Sequence, residues 1–266
     1  VMIKDSQAKI IHKESWKDYY LFSFQSEKIA AQAMPGQFLM VRIEPSPYPL
    51  LRRPFSIHSR NENTLEIFFK IEGIGTQLLA QKEIDDSLDL LGPLGKGFRF
   101  GVNLEKKAVA VVGGGRGIAP LYFLAEELRL LGVGAKIFYG GKSEADLPLR
   151  EKFEKNGFDL SCSTDDGSFA FKGMVTDLLQ TELERFFPAS IFACGPEEML
   201  KKIADMAINR KIPAELSLES MMGCGFGACW GCVRRIKRGK REEWLKICEE
   251  GPVFSSKEII WLEEER

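Results

Sequence analysis

The 266-residue chain has no run of about eighteen uninterrupted apolar residues, the length that a membrane-crossing helix needs. Nor does an apolar segment follow a basic start, so neither a span nor a secretory leader is expected and a cytoplasmic protein is. Cysteine is sparse: six residues are too few for a disulfide scaffold in a chain of this size. No internal repeat and no low-complexity segment occurs. Charge of one sign is not in excess either, at a formal net of −1, which gives nucleic acid or an anionic membrane no reason to bind. A basic cluster of Arg234, Arg235, Lys237, Arg238, Lys240 and Arg241 is followed closely by Glu242, Glu243, Glu249 and Glu250, and reads as a solvated hairpin.

Two patterns succeed one another along the chain. Up to about residue 101, the stretches AKIIHKESW, DYYLFSFQ, GQFLMVRI, FSIHS and TLEIFFKI have strand length and are rich in β-branched and aromatic residues. Pro35-Gly36 and the prolines at 45, 47 and 49 punctuate them. An antiparallel β-barrel is the natural solution, because closure removes sheet edges. From about 102 the rhythm becomes strand, glycine turn, helix: KKAVAVVGGG and IAPLYFLAEELRLLG, then AKIFYGG, FDLSCST, and SIFACG before PEEMLKKIADMAINR. That alternation predicts an α/β domain with a parallel sheet. The expected division is therefore a barrel over 1–101, an α/β domain over 102–212 and a small C-terminal region over 213–266, which ends in an acidic tail.

Glycines of VVGGGRGIAP, at Gly113, Gly114, Gly115 and Gly117, stand between a strand and a helix start, where bare amides can approach a pyrophosphate. A tight connection explains the same glycines nearly as well. Cys194-Gly195-Pro196 ends another candidate strand, the place where open α/β sheets put ligands. Cys194 reads equally as a contact to a nicotinamide or as a small buried strand-end residue. In the barrel, Arg53, Pro54, Phe55 and Ser56 offer a phosphate partner, an aromatic surface and a hydroxyl. Gly73, Gly75 and Thr76 open a short helix, a second anion seat.

In this order the pieces resemble the ferredoxin-NADP reductase superfamily, from about residue 8 to 210. Arg53-x-x-Ser56 is similar to its flavin signature, GIGT to its pyrophosphate signature, GPLG (92 to 95) to the end of its barrel, and the glycine turn with CGP to its nicotinamide domain. The resemblance implies FAD on the barrel and NAD or NADP on the α/β domain. Arg116 departs from the pattern, which usually has a smaller residue there. It reads either as a phosphate contact or as a side chain in solvent. Asp165 and Asp166 follow the LSCST strand, where carboxylates favour ribose hydroxyls over a 2′-phosphate and so favour NAD. An acidic turn before Gly167 is an equal explanation, and Lys142 keeps NADP open.

Cys224, Cys229 and Cys232 follow C-x4-C-x2-C, and Cys248 comes after fifteen intervening residues, the plant-type 2Fe-2S spacing. Gly223, Gly225, Gly227 and Gly231 permit the curl that three ligands from one loop require. Structural zinc is the rival, but such sites commonly use two short pairs and only one C-x2-C occurs here. Cys162 and Cys194 stand apart. With the flavin and nucleotide domains ahead of it, LSLESMMGCGFGACWGCV is similar to the electron-transfer subunits of heterotetrameric NAD-linked dihydroorotate dehydrogenases, across essentially the whole chain. That resemblance implies a catalytic partner subunit holding FMN, from which electrons pass over the cluster and FAD to NAD. It assigns no catalytic acid or base to this chain. Two alternatives are the small subunit of a sulfhydrogenase or electron-bifurcating ferredoxin reductase, and a zinc-stabilised module without flavin. Trp230, between the second and third cysteines, reads as a partner contact or as packing.

Overall fold

The structure is a computed structural model that describes residues 2–45, 48–101, 104 and 107–261. Pro47 and the acidic tail lie outside the described residues. Strands β1 (Ile3–Trp16), β2 (Tyr19–Gln25), β3 (Phe38–Arg42), β4 (Arg53–Asn61), β5 (Thr64–Lys70) and β6 (Ser87–Leu94) close into a barrel in the order β1-β2-β5-β4-β3-β6. Every pairing within it is antiparallel. Alternation sends Phe22, Phe24, Leu39, Val41, Ile57, Leu65 and Ile67 inward, each with no exposed surface. Each such burial contributes roughly 1.5–3 kcal/mol. Helices α1 (Glu27–Ala30) and α2 (Ile74–Ala80) add Ile29, Ala30 and Leu79 to that core. Five of the six strands follow from sequence patterning. β6 does not, because Asp89 and Gly92-Pro93 dilute its apolar character, yet Leu88 and Leu90 fill the core and pairing to both β1 and β3 closes the barrel.

The second sheet runs β7 (Ala108–Gly114), β8 (Gly134–Gly141), β9 (Asp159–Thr164), β10 (Phe171–Lys172), β11 (Ile191–Cys194), β12 (Ala214–Ser217) and β15 (Val253–Ser255), in the order β10-β9-β8-β7-β11-β12-β15. All neighbours are parallel except β15, which is antiparallel to β12. Both faces are covered, as a parallel sheet requires. Val109 and Val111 pack with α3 (Ala119–Leu130) and α4 (Arg150–Lys155), and Ala110 and Val112 with α5 (Val175–Glu182) and α6 (Glu197–Asn209). The segment between β12 and β15 leaves the sheet edge and returns to it. It carries a hairpin of β13 (Val233–Arg238) and β14 (Arg241–Lys246), then α7 (Ile247–Glu250). Among the hairpin's charges, Arg235 pairs with Glu242 and Arg238 with Glu250 of α7.

Barrel and α/β domain share a seam. Tyr19, Leu21 and Phe68 face the second core instead of the barrel's, and His58 of β4 stacks on Tyr122 of α3 at 4.7 Å between ring centroids. His58 Nδ1 is 2.8 Å from the Ala119 carbonyl and Nε2 has no partner, so the proton sits on Nδ1, which donates. Burial pushes His58 down to about 3, Lys152 adding to the shift and Glu66 opposing it. Unfolded histidine takes up a proton near pH 6.5. Stability from the neutral folded form is therefore present above 6.5 and lost as pH falls towards 3, by up to about 1.4 kcal/mol per pH unit. His58→Gln is expected to flatten the fall of the urea midpoint between pH 6.5 and 4. A fall as steep in the variant as in the parent would assign the acid sensitivity to other groups.

Candidate functional site

β4 and the first turn of α2 come together on the barrel. A Cβ on Gly75 would lie 2.9 Å from Arg53 Nε, so glycine there lets the guanidinium lie against the turn. Arg53 Nη1 donates to the Leu51 carbonyl at 2.6 Å. The Glu72 and Gly73 amides donate to Thr76 Oγ1 at 2.9 and 3.2 Å, and Thr76 donates to the Gly73 carbonyl at 3.0 Å. Gly73 itself faces open space.

On the other side, β7 runs through Gly113 and Gly114 into a 3-10 turn, Gly115–Ile118, and then α3. Gly113 packs on Ile118, and Gly114 on Met199 and Pro196. Gly115 is left-handed, at φ +54, and open. Gly117 lies directly on the end of β11, where a Cβ would come 2.3 Å from the Cys194 carbonyl oxygen. That contact sets Cys194, Gly195 and Pro196 beside the glycine turn. Cys194 is buried, which with the nearby Glu219 pushes its thiol up to about 12, so it is neutral.

Pro54, Phe55, Ser56, Thr76, Gly117 and Cys194 line one cleft of about 270 Å³. The other glycines expected from sequence, Gly195, Pro196 and Arg53 do not line it and serve as its frame. Lys70, Glu72, Arg116, Glu219, Met222 and Pro252 line it as well. Apart from Arg116, none of these follows from the sequence; their only signal is position, Glu72 directly before Gly73 and Met222 directly before the cysteine loop. Arg116 does not lie free in solvent: it pairs with Glu72 and, at 3.6 Å, with Glu219.

The cysteine loop is seated against the barrel. Gly225, at φ +81, packs so closely on Met40 of β3 that a Cβ would be 2.3 Å from its Cγ. Farther along, Lys96 donates its amide to the Gly251 carbonyl at 2.6 Å and pairs with Glu250, so the end of the barrel also touches this segment. Backbone amides point at the sulfurs: Gly227 to Cys248 Sγ at 3.1 Å, Ala228 and Cys229 to Cys224 Sγ at 3.2 and 3.4 Å, Gly231 to Cys229 Sγ at 3.5 Å, and Cys248 to Cys232 Sγ at 3.4 Å. Burial opposes ionisation of Cys224, but the amides of Phe226, Cys229 and Ala228 outweigh it and bring that thiol down to about 7. Burial, then the bond to Cys232, pushes Cys248 up to about 12.

Among the described residues no group of three or more His, Cys, Asp or Glu converges on a point suited to a single metal ion. The Cys229 amide donates to Cys224 Sγ and the Cys248 amide to Cys232 Sγ, so backbone hydrogen bonds link the cysteines two by two. Four cysteines whose sulfurs accept backbone amides fit an iron-sulfur cluster, which takes thiolate ligands. Cys162 is buried on β9, apart from the loop. Trp230 is exposed and left-handed, at φ +58, with Lys246 Nζ 4.9 Å from its ring centroid.

At the C-terminal end of β9, Asp166 accepts the Ser168 amide at 2.9 Å, and Ser168 holds its carboxyl below the usual range. Asp165 has its amide tied to the Gly141 carbonyl at 3.1 Å and its side chain exposed. If this turn takes the adenosine ribose, as expected from the sequence, Asp165→Ser shifts the ratio of NADP to NAD affinity by about tenfold towards NADP, because a carboxylate there would repel a 2′-phosphate. Fluorescence titration with both nucleotides measures it; an unchanged ratio would put the adenosine ribose elsewhere.

Residues 219–260 match the family model of the iron-sulfur cluster binding domain of dihydroorotate dehydrogenase B. A protein of Desulforamulus reducens described as dihydroorotate dehydrogenase B (NAD(+)), electron transfer subunit, is 36% identical over 259 residues, covering 97% of this chain and 98% of the relative. One of the same description from Geobacillus kaustophilus is 38% identical over 245 residues, covering 91% and 92%. Among solved structures, that of an NADH-dependent reduced ferredoxin-NADP oxidoreductase, studied for flavin-based electron bifurcation, aligns with a TM-score of 0.83 at 27% identity over 97% of this chain and 91% of that one. A ferredoxin NADP+ reductase from Neisseria gonorrhoeae with bound FAD and NADP shares the fold, at a TM-score of 0.63 and 18% identity over 79% of this chain and 91% of that one.

Proposed function

This chain belongs to the family of NAD(+)-linked dihydroorotate dehydrogenase B electron transfer subunits, and from that premise we propose that it carries electrons between a partner dehydrogenase and NAD, in the oxidation of dihydroorotate to orotate for pyrimidine synthesis. The observation that supports this best is the cleft. Ser56 from the barrel, Gly117 and Cys194 from the α/β domain, and Met222 from the start of the cysteine loop all line it, so a flavin, a nicotinamide and an iron-sulfur centre can be served from one opening.

Arg53, with the amides around Gly75 and Thr76, would hold the pyrophosphate of FAD, and Ser56 would hydrogen-bond its ring. The turn Gly113–Gly117 would receive the nicotinamide dinucleotide, and Cys224, Cys229, Cys232 and Cys248 would hold the 2Fe-2S cluster. Bound in this way, FAD would supply the conversion between two-electron chemistry with a nicotinamide and one-electron chemistry with a cluster. The chain's own contribution is placement and electrostatics. Cys194 is neutral, so a ring laid beside it would meet a thiol and no thiolate. Amides donating to the cysteine sulfurs stabilise added negative charge there, which raises the potential of a bound centre.

The finer reading is a heterotetramer in the cytoplasm with an FMN-containing catalytic subunit, NADP being a possible second nucleotide. No described helix is long and apolar enough to cross a membrane. The likeness to the bifurcating oxidoreductase favours a second reading, the small subunit of another NAD(P)-linked iron-sulfur flavoprotein complex, a sulfhydrogenase included. Co-purification with the partner, followed by an assay of dihydroorotate-dependent NAD reduction, separates the two. Activity with sulfide, hydrogen or ferredoxin and none with dihydroorotate would overturn the first.

A further inference from the structure

Arg116 is the sole charged side chain in the stretch GGGRGIAP, 113 to 120. Its guanidinium reaches across the cleft to Glu72, which directly precedes the first turn of α2, and to Glu219 at 3.6 Å, which lies before the cysteine loop. One side chain thus joins the barrel, the glycine turn and the cluster segment. All three residues line the cleft. Among the described residues, neither carboxylate has another ion-pair partner.

These contacts are poorly suited to a structural staple. The three side chains are 41, 55 and 55% exposed, and ion pairs so close to water contribute little to stability and exchange readily. A dinucleotide laid over the glycine turn brings a doubly charged pyrophosphate, which guanidinium binds in bidentate fashion, against carboxylate pairs that water already weakens. We propose that Arg116 is a pyrophosphate-binding residue for the nicotinamide dinucleotide, held across the cleft by Glu72 and Glu219 until the dinucleotide displaces them. The proposal rests on the turn being the dinucleotide site. It makes the two acids competitors of the substrate's phosphates for one cation, and it makes nucleotide binding release the cluster segment from the turn. In a population-shift sense, the paired state lowers the apparent affinity that the freed arginine would give.

The test is a double-mutant cycle read by isothermal titration of NAD+ into the FAD-loaded chain, with flavin absorbance confirming that each variant keeps its flavin. Glu72→Gln is expected to tighten NAD+ binding about threefold and the pair with Glu219→Gln about tenfold, in keeping with the modest strength of exposed ion pairs. Arg116→Gln is expected to weaken binding about fivefold, through loss of a charge-assisted phosphate contact. In the Arg116→Gln background, the two Glu→Gln changes should no longer tighten binding. Equal tightening with and without Arg116 would mean that the acids simply repel the nucleotide, and would overturn the proposal. So would NAD+ binding that none of the variants alters. If the parent chain binds no NAD+ at all, the reading of the turn falls, and the latch with it.

Discussion

Exchange of Cys248 for serine is expected to remove the iron from the protein while leaving its flavin in place. Cys248 is buried on α7, and its Sγ accepts the Gly227 amide at 3.1 Å while its own amide donates to Cys232 Sγ at 3.4 Å. It is thus the member of the inner thiol pair that ties α7 to the loop. Serine keeps the shape but offers a hydroxyl in place of a thiolate, and thiolates are what iron-sulfur clusters take. Iron per chain should fall by about tenfold or more, with the cluster's visible absorption, since a missing ligand also loosens the other three. NADH oxidation by a two-electron acceptor should persist, because Arg53, Ser56 and the glycine turn are untouched. Cys162→Ser is the matched control, since that thiol sits on β9 away from the loop. A Cys248→Ser variant with full iron content, or a Cys162→Ser variant that loses it, would contradict the ligand assignment.

Gly117→Ala is expected to have the largest effect on stability of any single methyl addition in the glycine turn. The added Cβ would be 2.3 Å from the Cys194 carbonyl oxygen, 2.5 Å from its carbon and 2.6 Å from Gly195 Cα. All three are backbone atoms of the end of β11, so none can swing aside. The turn must part from the strand, exposing Ile118 and widening the cleft, at a cost of about 3 kcal/mol or more. Gly115→Ala provides the comparison. That residue is left-handed but surrounded by open space, so alanine meets only backbone strain of about 1 kcal/mol. Urea unfolding of the two variants, with NAD+ titration of whichever remains folded, reads the difference. Similar midpoints for both would show that the turn does not depend on this close approach.

Much of the frame was legible because its signals are local. Alternating aromatics marked β1 to β5, and the apolar helical spacing of IAPLYFLAEELRLLG marked α3. The cysteine spacing pointed to an iron-sulfur centre with zinc as its rival, because the distances between Cys224, Cys229 and Cys232 within one loop are set by the sequence. What was not legible is what closes or joins these pieces. β12 and β15 have four and three residues, too short to show a period, and they pair across the whole cluster segment. β6 hides its two inward leucines among Asp89, Gly92 and Pro93. His58 gave no sign of its stacking on Tyr122, and Arg116 none of Glu72 and Glu219, because each partner lies far along the chain. Such seams depend on how two domains meet, which local propensity does not encode.

Quantifying flavin, iron and acid-labile sulfide in the anaerobically purified chain, with its visible spectrum, tests the central claim most directly. The expected result is a coloured protein with FAD and about two iron atoms and about two sulfides per chain, the content of a 2Fe-2S cluster. A colourless protein with zinc in place of iron and no flavin would contradict it.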